Sequence, residues 1–294
     1  MTGDRLNAVR RRVEERADQA WAITRHRFGP RAPVPPYDGD PRCGLITVNR
    51  STTHYLKLML LTLAEQEHLE LLRQIVVVDN ASRDGAESFL RALDAAIERV
   101  TVVRNRHFLN HARGIRAGLR ALEPEVNVVL ACDTDVVFRN PTTLASLASL
   151  VTVHDAALVG ELRNVGRRYP DIQASFLTMR RDWLARRDVR PWVNHGSPAL
   201  WLEESVWEAG GVVVDYPSNL GGNVLHRGRS AVAGARRYAP RSSYATAPNS
   251  QPSYMGVPEG AAIWAAVEDR WAPLLAPERD ADLVDHLAQR FRTR

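Results

Sequence analysis

The sequence predicts an α/β protein built on a mainly parallel sheet with helices on both faces. Three observations lead there: short continuous apolar runs recur along residues 43–138, each ends in a polar turn, and amphipathic helical stretches separate them. In such sheets ligands gather at the carboxyl ends of the strands, so the turns after the runs are where chemistry is expected.

The elements come in this order. Residues 4 to about 27 carry Leu6, Val9, Val13, Ala17, Ala20 and Ile23 at three- and four-residue spacing, a helix with one apolar face and an arginine-rich opposite face. Such a helix either docks on the domain or lies on an anionic membrane surface, so a peripheral membrane contact stays open. Gly29-Pro30, Pro33, Pro35 and Pro36 end it and form a linker. GLITVNR (44–50) reads as a buried strand, followed by a helix from about His54 to Gln66. QIVVVDNASRDG (74–85) gives a second strand and turn, with a helix from Ala86 to Ile97. RVTVVRN (99–105) is a third strand, RGIRAGLRAL (113–122) a third helix, and NVVLACDTDVVF (127–138) a fourth strand. Beyond it, ALVGELR and DIQASFLTMRRDWL read as strands returning to the sheet. LWLEESVWEAGG (200–211) reads as a helix with a glycine stop, and VVVDYP as another buried strand. Residues 236–260 form a proline- and serine-rich loop, and a helical segment starts near Ala261.

Composition narrows the class. The 294 residues are 45% hydrophobic and 25% charged, and no apolar stretch approaches the roughly 18 to 20 residues of a membrane span. The first residues lack the apolar core and cleavage site of a signal peptide, which predicts a cytoplasmic location. Cys43 and Cys132 are too few for a disulfide framework and read as buried thiols. Net charge is +5, and Lys57 is the only lysine, so the positive charge is almost all arginine. Guanidinium groups suit phosphates and carboxylates, which predicts an anionic ligand. The basic residues are scattered among acids without an aromatic stripe, so nucleic acid is not the predicted partner.

The chemistry centres on Asp133-Thr134-Asp135 at the end of the apolar run NVVLA. In an extended segment alternate side chains share a face, so both carboxylates would converge on one spot and hold a hard divalent cation, Mn2+ or Mg2+. Taken alone, the same triplet equally describes two solvated acids opening a turn. Asp79 ends VVVD and is followed by Asn80, Ala81, Ser82, Arg83, Asp84 and Gly85. An acid there can accept hydrogen bonds from a base or ribose, while Asn80 and Gly85 tolerate a tight backbone; an ordinary strand-to-helix turn capped by Asp84 is the alternative. Asn49-Arg50-Ser51 closes the first run in the same way, where Arg50 could meet phosphate or the turn could simply cap a helix.

The ordered series ITVNR, VVVDNASRDG, VVRNRHFLNHARGIRAGL and VVLACDTDVVF resembles the nucleotide-binding half of family 2 glycosyltransferases with the GT-A fold, closely over 44–140 and loosely afterwards. The resemblance implies a GT-A-type, Rossmann-like α/β/α sandwich with a mainly parallel mixed sheet. It also implies a division into an N-terminal helix and linker (1–40), a nucleotide-sugar half (41–155), an acceptor half (156–235) and a C-terminal extension (236–294). By position, Asp79 would hold the nucleobase or ribose, with Asn49, Arg50, Asn80 and Asp84 around it. Arg113 would neutralise the diphosphate or touch the sugar. Asp133 and Asp135 would bind the metal, Thr134 standing between them at the donor, and His226 in NVLHRGRSA would close the site from a flexible loop; a surface histidine in a basic loop is its alternative. The implied donor is a nucleoside-diphosphate sugar, with uridine diphosphate sugars the commonest for proteins of this look, and the acceptor is open.

Two segments depart from the family pattern. The glycine-rich NxGF segment reads Asn105-Arg106-His107-Phe108, and the acidic cluster that supplies the base in inverting members falls on Pro198, Ala199, Leu200 and Trp201. Glu203 and Glu204 are the nearest carboxylates for that role, with Asp171, Asp188 and the His195-Gly196-Ser197 turn as others. The lost cluster also admits a non-catalytic nucleotide-sugar-binding relative. A haloacid-dehalogenase-type phosphatase shares the strand-D-x-D pattern but needs a later lysine, and Lys57 precedes the motif.

Overall fold

Runs rich in valine and isoleucine between polar turns leave the chain little choice but buried strands. The structure, a computed structural model, describes residues 3–30, 33–163, 166–194, 198–238, 240 and 251–292. In chain order the elements are α1 (Gly3–Phe28), β1 (Cys43–Asn49), α2 (Thr53–Leu63), β2 (Leu72–Asn80), α3 (Glu87–Ala96), β3 (Val100–Asn105), α4 (His111–Ala121), β4 (Val128–Cys132), β5 (Val136–Phe138) and α5 (Thr143–His154). Then come β6 (Leu158–Arg163), β7 (Asp171–Arg180), α6 (Arg181–Leu184), α7 (Leu200–Glu208), β8 (Val213–Asp215), β9 (Val224–His226), α8 (Ser230–Tyr238), α9 (Gly260–Leu275) and α10 (Asp280–Phe291).

Seven strands form one sheet in the order β3-β2-β1-β4-β7-β6-β8. All neighbours are parallel except β7, which runs against both β4 and β6. Successive strand residues serve opposite faces. Leu45, Ile75, Val77 and Leu130 pack with α2, α3, α5, α9 and α10, whereas Ile46, Val76, Val78 and Val129 pack with α4 and α7. The prediction of a mixed, mainly parallel sheet between helical layers therefore holds, and Cys43 and Cys132 are buried free thiols. Among the described residues no helix is long and apolar enough to cross a membrane.

Two glycines bring helices to the carboxyl edge of the sheet. Gly118 lets α4 lie against β1, since a Cβ there would meet Ile46 Cγ2 at 2.4 Å. Gly234 does the same for α8 on the turn after β1, where a Cβ would meet the Ser51 carbonyl oxygen at 2.2 Å.

Three expectations need correction. The fourth strand is not one piece: it stops at Cys132, and β5 leaves the main sheet to pair antiparallel with β9 in a separate ribbon. The expected 236–260 loop is entered by α8, which runs to Tyr238; residues 239 and 241–250 lie outside the described residues. Finally, α1 docks through the opposite face to the one its apolar spacing marks. Val9, Val13, Ala17 and Ala20 are exposed and only Ile23 is half-buried, while Asp18 and Ala22 are buried. Polar contacts fix that inner face: Asp18 accepts from Arg116 at 2.6 Å, Gln19 donates to the Asn194 carbonyl, and His26 meets the Arg186 carbonyl at 2.7 Å.

Candidate active site

The two aspartates converge, but across a turn and not along a strand. Asp133 leaves β4 with its N–H donating to the Ser175 carbonyl at 2.9 Å, and Val136 N–H returns to the Asp133 carbonyl at 3.3 Å. The ribbon then carries His226 directly opposite Val136. His226 Nε2 lies 3.2 Å from Asp135 Oδ1 and 3.6 Å from Asp133 Oδ2. Ligand atoms of the three residues all fall within 4.8 Å of one another, a grouping that could hold a divalent cation. The histidine is buried on a strand, which corrects the expectation of a mobile or surface loop; Gly228 follows it with a φ of +74°.

Electrostatics divide the pair. Burial opposes ionisation of Asp135, yet His226 and the hydrogen bonds of Ser230 outweigh it and hold the carboxyl below the ordinary range. Burial pushes Asp133 up, and His111 and His226 only partly offset that. His226 is drawn down by burial but more strongly up by the two carboxylates, Asp135 first. The imidazolium thus stands in for a cation between the acids. For Nε2 to take a metal, the ring proton must sit on Nδ1, with the Gln173 amide, 3.2 Å away, turned to accept it.

Sequence reasoning missed four residues here. His111 Nε2 lies 3.9 Å from Asp133, Ser230 N–H donates to Asp135 at 3.4 Å, Gln173 holds His226, and the Thr52 and Thr134 hydroxyls meet at 2.9 Å. A signal existed only for His111. Asn110 caps α4 by accepting from Arg113 N–H at 2.9 Å, so the helix starts at His111, two residues before the predicted start, and points it at the site.

A cavity of about 340 Å3 opens over this cluster, lined by Arg50, Thr52, His111, Asp133, Thr134, Asp135, His226 and the segment 228–231. A second, of about 550 Å3, adjoins it at Arg50 and is lined by Ala81, Arg83, Arg106, His107, Phe108 and Tyr238. The Arg50 guanidinium stacks 3.3 Å from the Phe108 ring centroid between them. Asp79, next to last in β2, lines neither cavity; its Oδ1 is buried and has no hydrogen-bond donor among the described residues, and burial pushes its carboxyl up.

Other predicted donor residues have different partners. Asn49 donates to Thr53 and Ser82 and accepts from Thr52, which ties the first turn to the second. Asn80 stays on its strand and clamps Leu109 N–H and carbonyl, fixing the 105–110 segment. Asp84 caps α2 by accepting from Thr53 N–H at 2.9 Å. Ala81 and Ser51, with φ of 58° and 51°, take the tight backbone expected of Asn80; Gly85, at +80°, fits. Arg113 lines neither cavity: its Nε lies 3.5 Å from Asp18 of α1.

Neither glutamate of α7 lines the cavity over Asp133 and Asp135. Glu204 faces Arg190 at 3.6 Å. Glu203 is buried, accepts from Ile172 N–H at 3.0 Å and faces Asp171, and burial pushes its pKa up to about 9. Glu203 Oε1 and Asp171 Oδ1 have no other partner, so one shared proton satisfies both. Asp188 pairs with Arg186 on the surface, and His195-Gly196-Ser197 lies outside the described residues.

A doubly covered, mainly parallel sheet with a carboxylate- and histidine-lined cavity at its carboxyl edge is the arrangement of a ligand-binding α/β protein. The sequence profile described as glycosyl transferase family 2 matches residues 44–192, just over half of the chain, and the protein belongs to that family. A solved structure shares the fold. The mannosyltransferase PcManGT from Pyrobaculum calidifontis, in complex with GDP-Man and Mn2+, superposes with a TM-score of 0.50 at 18% identity, covering 92% of this chain and 86% of that one. S. aureus TarS 1-349 gives a lower 0.48 at 14% identity, covering 85% and 88%. No curated protein matches the chain in sequence.

Proposed function

We propose that the protein transfers a hexosyl group from a nucleoside diphosphate to an acceptor hydroxyl, with Asp133, Asp135 and His226 holding a divalent cation. The observation that carries this reading is the convergence of those three side chains under a cavity that opens into a second, arginine-lined one. A bound cation would supply positive charge where the departing diphosphate gathers negative charge. The imidazole in the ligand set favours Mn2+ over Mg2+, which prefers oxygen ligands and retained water.

The chain's own residues fill the remaining roles. Asp79 accepts hydrogen bonds from the nucleobase or ribose through its unpartnered oxygen, and Arg50, joining both cavities, meets the phosphates. The α8 amino terminus, whose Ser230 N–H already reaches Asp135, adds its positive end to the diphosphate site. Asp171, two residues along β7 from Gln173, takes the proton of the acceptor hydroxyl as the new glycosidic bond forms. Glu203 is protonated at neutral pH and donates to Asp171, so it tunes that base and is not the base itself. The GDP-Man bound to PcManGT and the UDP-GlcNAc bound to S. aureus TarS 1-349 are two donors to test; uridine diphosphate sugars come first.

The test is calorimetry or thermal shift with UDP, GDP and dTDP, each with Mn2+ or Mg2+, on the intact protein and on Asp135→Ala. One nucleotide is expected to stabilise the protein only with metal, and the substitution to abolish it. Failure of every nucleotide with either ion would overturn the reading.

A further inference from the structure

The outer face of α1 is apolar where a surface helix is ordinarily polar. At about 100° per residue, Val9, Val13, Ala17, Ala20 and Phe28 fall on the half of the helix opposite Asp18 and Ala22, with Trp21 just past its border. Val9, Val13, Trp21 and Phe28 are 54%, 61%, 52% and 74% exposed. The inner half is already occupied by the domain, so this stripe faces solvent, uncovered by the described residues.

One margin is cationic: Arg12, Arg16 and Arg27 lie along it, all exposed, while the other margin carries the exposed Arg25 beside the exposed Glu14. The Arg25 guanidinium sits 5.5 Å from the Trp21 ring and that of Arg27 5.7 Å from the Phe28 ring, so charge and exposed aromatic surface come as pairs. Arg187, donating to the Arg27 carbonyl, extends the basic zone past the helix end. On the other flank, Arg120 is pushed down by its burial and then by Arg25 and Arg113, a sign of positive charge in excess.

We propose that this face of α1 seats the protein on an anionic lipid bilayer, with the apolar stripe in the headgroup–acyl boundary and the flanking arginines on lipid phosphates. The arginine edge of Arg12, Arg16 and Arg27 chooses this occupant over a second copy. A symmetric pair of α1 helices would bring the arginine margins of both copies together. Four large apolar side chains also fall short of the roughly 1,200 Å2 that a stable protein interface buries. A bilayer needs no such area, because anionic headgroups answer the arginines.

The test is co-sedimentation of the intact protein with phosphatidylcholine vesicles containing about 30% phosphatidylglycerol, against phosphatidylcholine alone. Binding is expected to be at least about tenfold tighter with the anionic lipid and to weaken as salt rises. Val13→Ser/Trp21→Ser/Phe28→Ser should lose at least about tenfold in affinity, and Arg12→Glu/Arg16→Glu should lose the preference for anionic lipid. All five positions are exposed, and nucleotide binding by both variants serves as the check on folding. The proposal is overturned by absence of binding to either vesicle, by full binding of the apolar variant, or by a dimer in light scattering that the apolar variant splits.

Discussion

Two acid pairs, each joining one buried carboxylate to one half-buried one, are sent in opposite directions by their neighbours. Asp133 and Asp135 share their space with the His226 imidazole, which keeps Asp135 ionised. Among the described residues Asp171 and Glu203 form no ion pair, and burial, with the neighbouring Asp171 carboxylate, keeps the Glu203 proton on up to about pH 9. The residue types are nearly the same. What differs is whether positive charge or a proton answers the second carboxylate, and this separates a site suited to a metal from one suited to proton transfer.

That contrast can be broken most forcefully at the metal pair. Asp135→Ala should lower turnover about a thousandfold or more and abolish metal-dependent nucleotide binding in calorimetry. At the other pair, Asp171→Asn should lower kcat by about 10²- to 10⁴-fold while leaving nucleotide affinity unchanged; an equal loss of nucleotide affinity would remove the distinction.

Smaller effects come from pH. Because the carboxylates raise the His226 pKa, protons compete with the metal below it. Metal affinity measured by titration should fall as pH falls through that pKa, by up to about tenfold per unit, and Asp133→Asn should shift the profile to lower pH. Glu203 works with the opposite partner. Its folded pKa of about 9 exceeds the ordinary 4.5, so the folded chain holds a proton that the unfolded chain has released. Its contribution to stability is fullest below pH 4.5 and is lost progressively as pH rises from there to about 9, at up to about 1.4 kcal/mol per unit. Chemical denaturation of Glu203→Gln should show a flatter pH dependence over this window and a higher midpoint at its alkaline end.

The donor half was legible because its logic is local. A parallel strand buried on both faces is a continuous apolar run, and ligands gather at the turn that ends it, so Asp79, Asp133 and Asp135 could be placed at that edge by position. Their geometry could not. The aspartates meet across a turn because β5 abandons the sheet for a ribbon with β9, a pairing that no local pattern announces. The acceptor acids were harder still: Glu203 acquires meaning only beside Asp171, across a helix-to-strand contact. Arg113 stands apart from both cavities because α1, which lies outside the motif, sets Asp18 beside both Arg113 and Arg116. The face of α1 itself was inverted because buried hydrogen bonds, not apolar spacing, fix its docking.

The short ribbon of β5 and β9 has a further implication for how the catalytic centre can be divided. It stitches the last residue of the proposed ligand trio to the first two through three backbone pairings, His226 on Val136, Leu225 on Val137 and Val224 on Phe138. A fragment cut before Val224 would keep every recognisable donor motif and still lack the third ligand. Mixing such a fragment with its missing remainder would restore metal affinity only if the ribbon re-formed, making the ion a reporter of whether the two parts have joined.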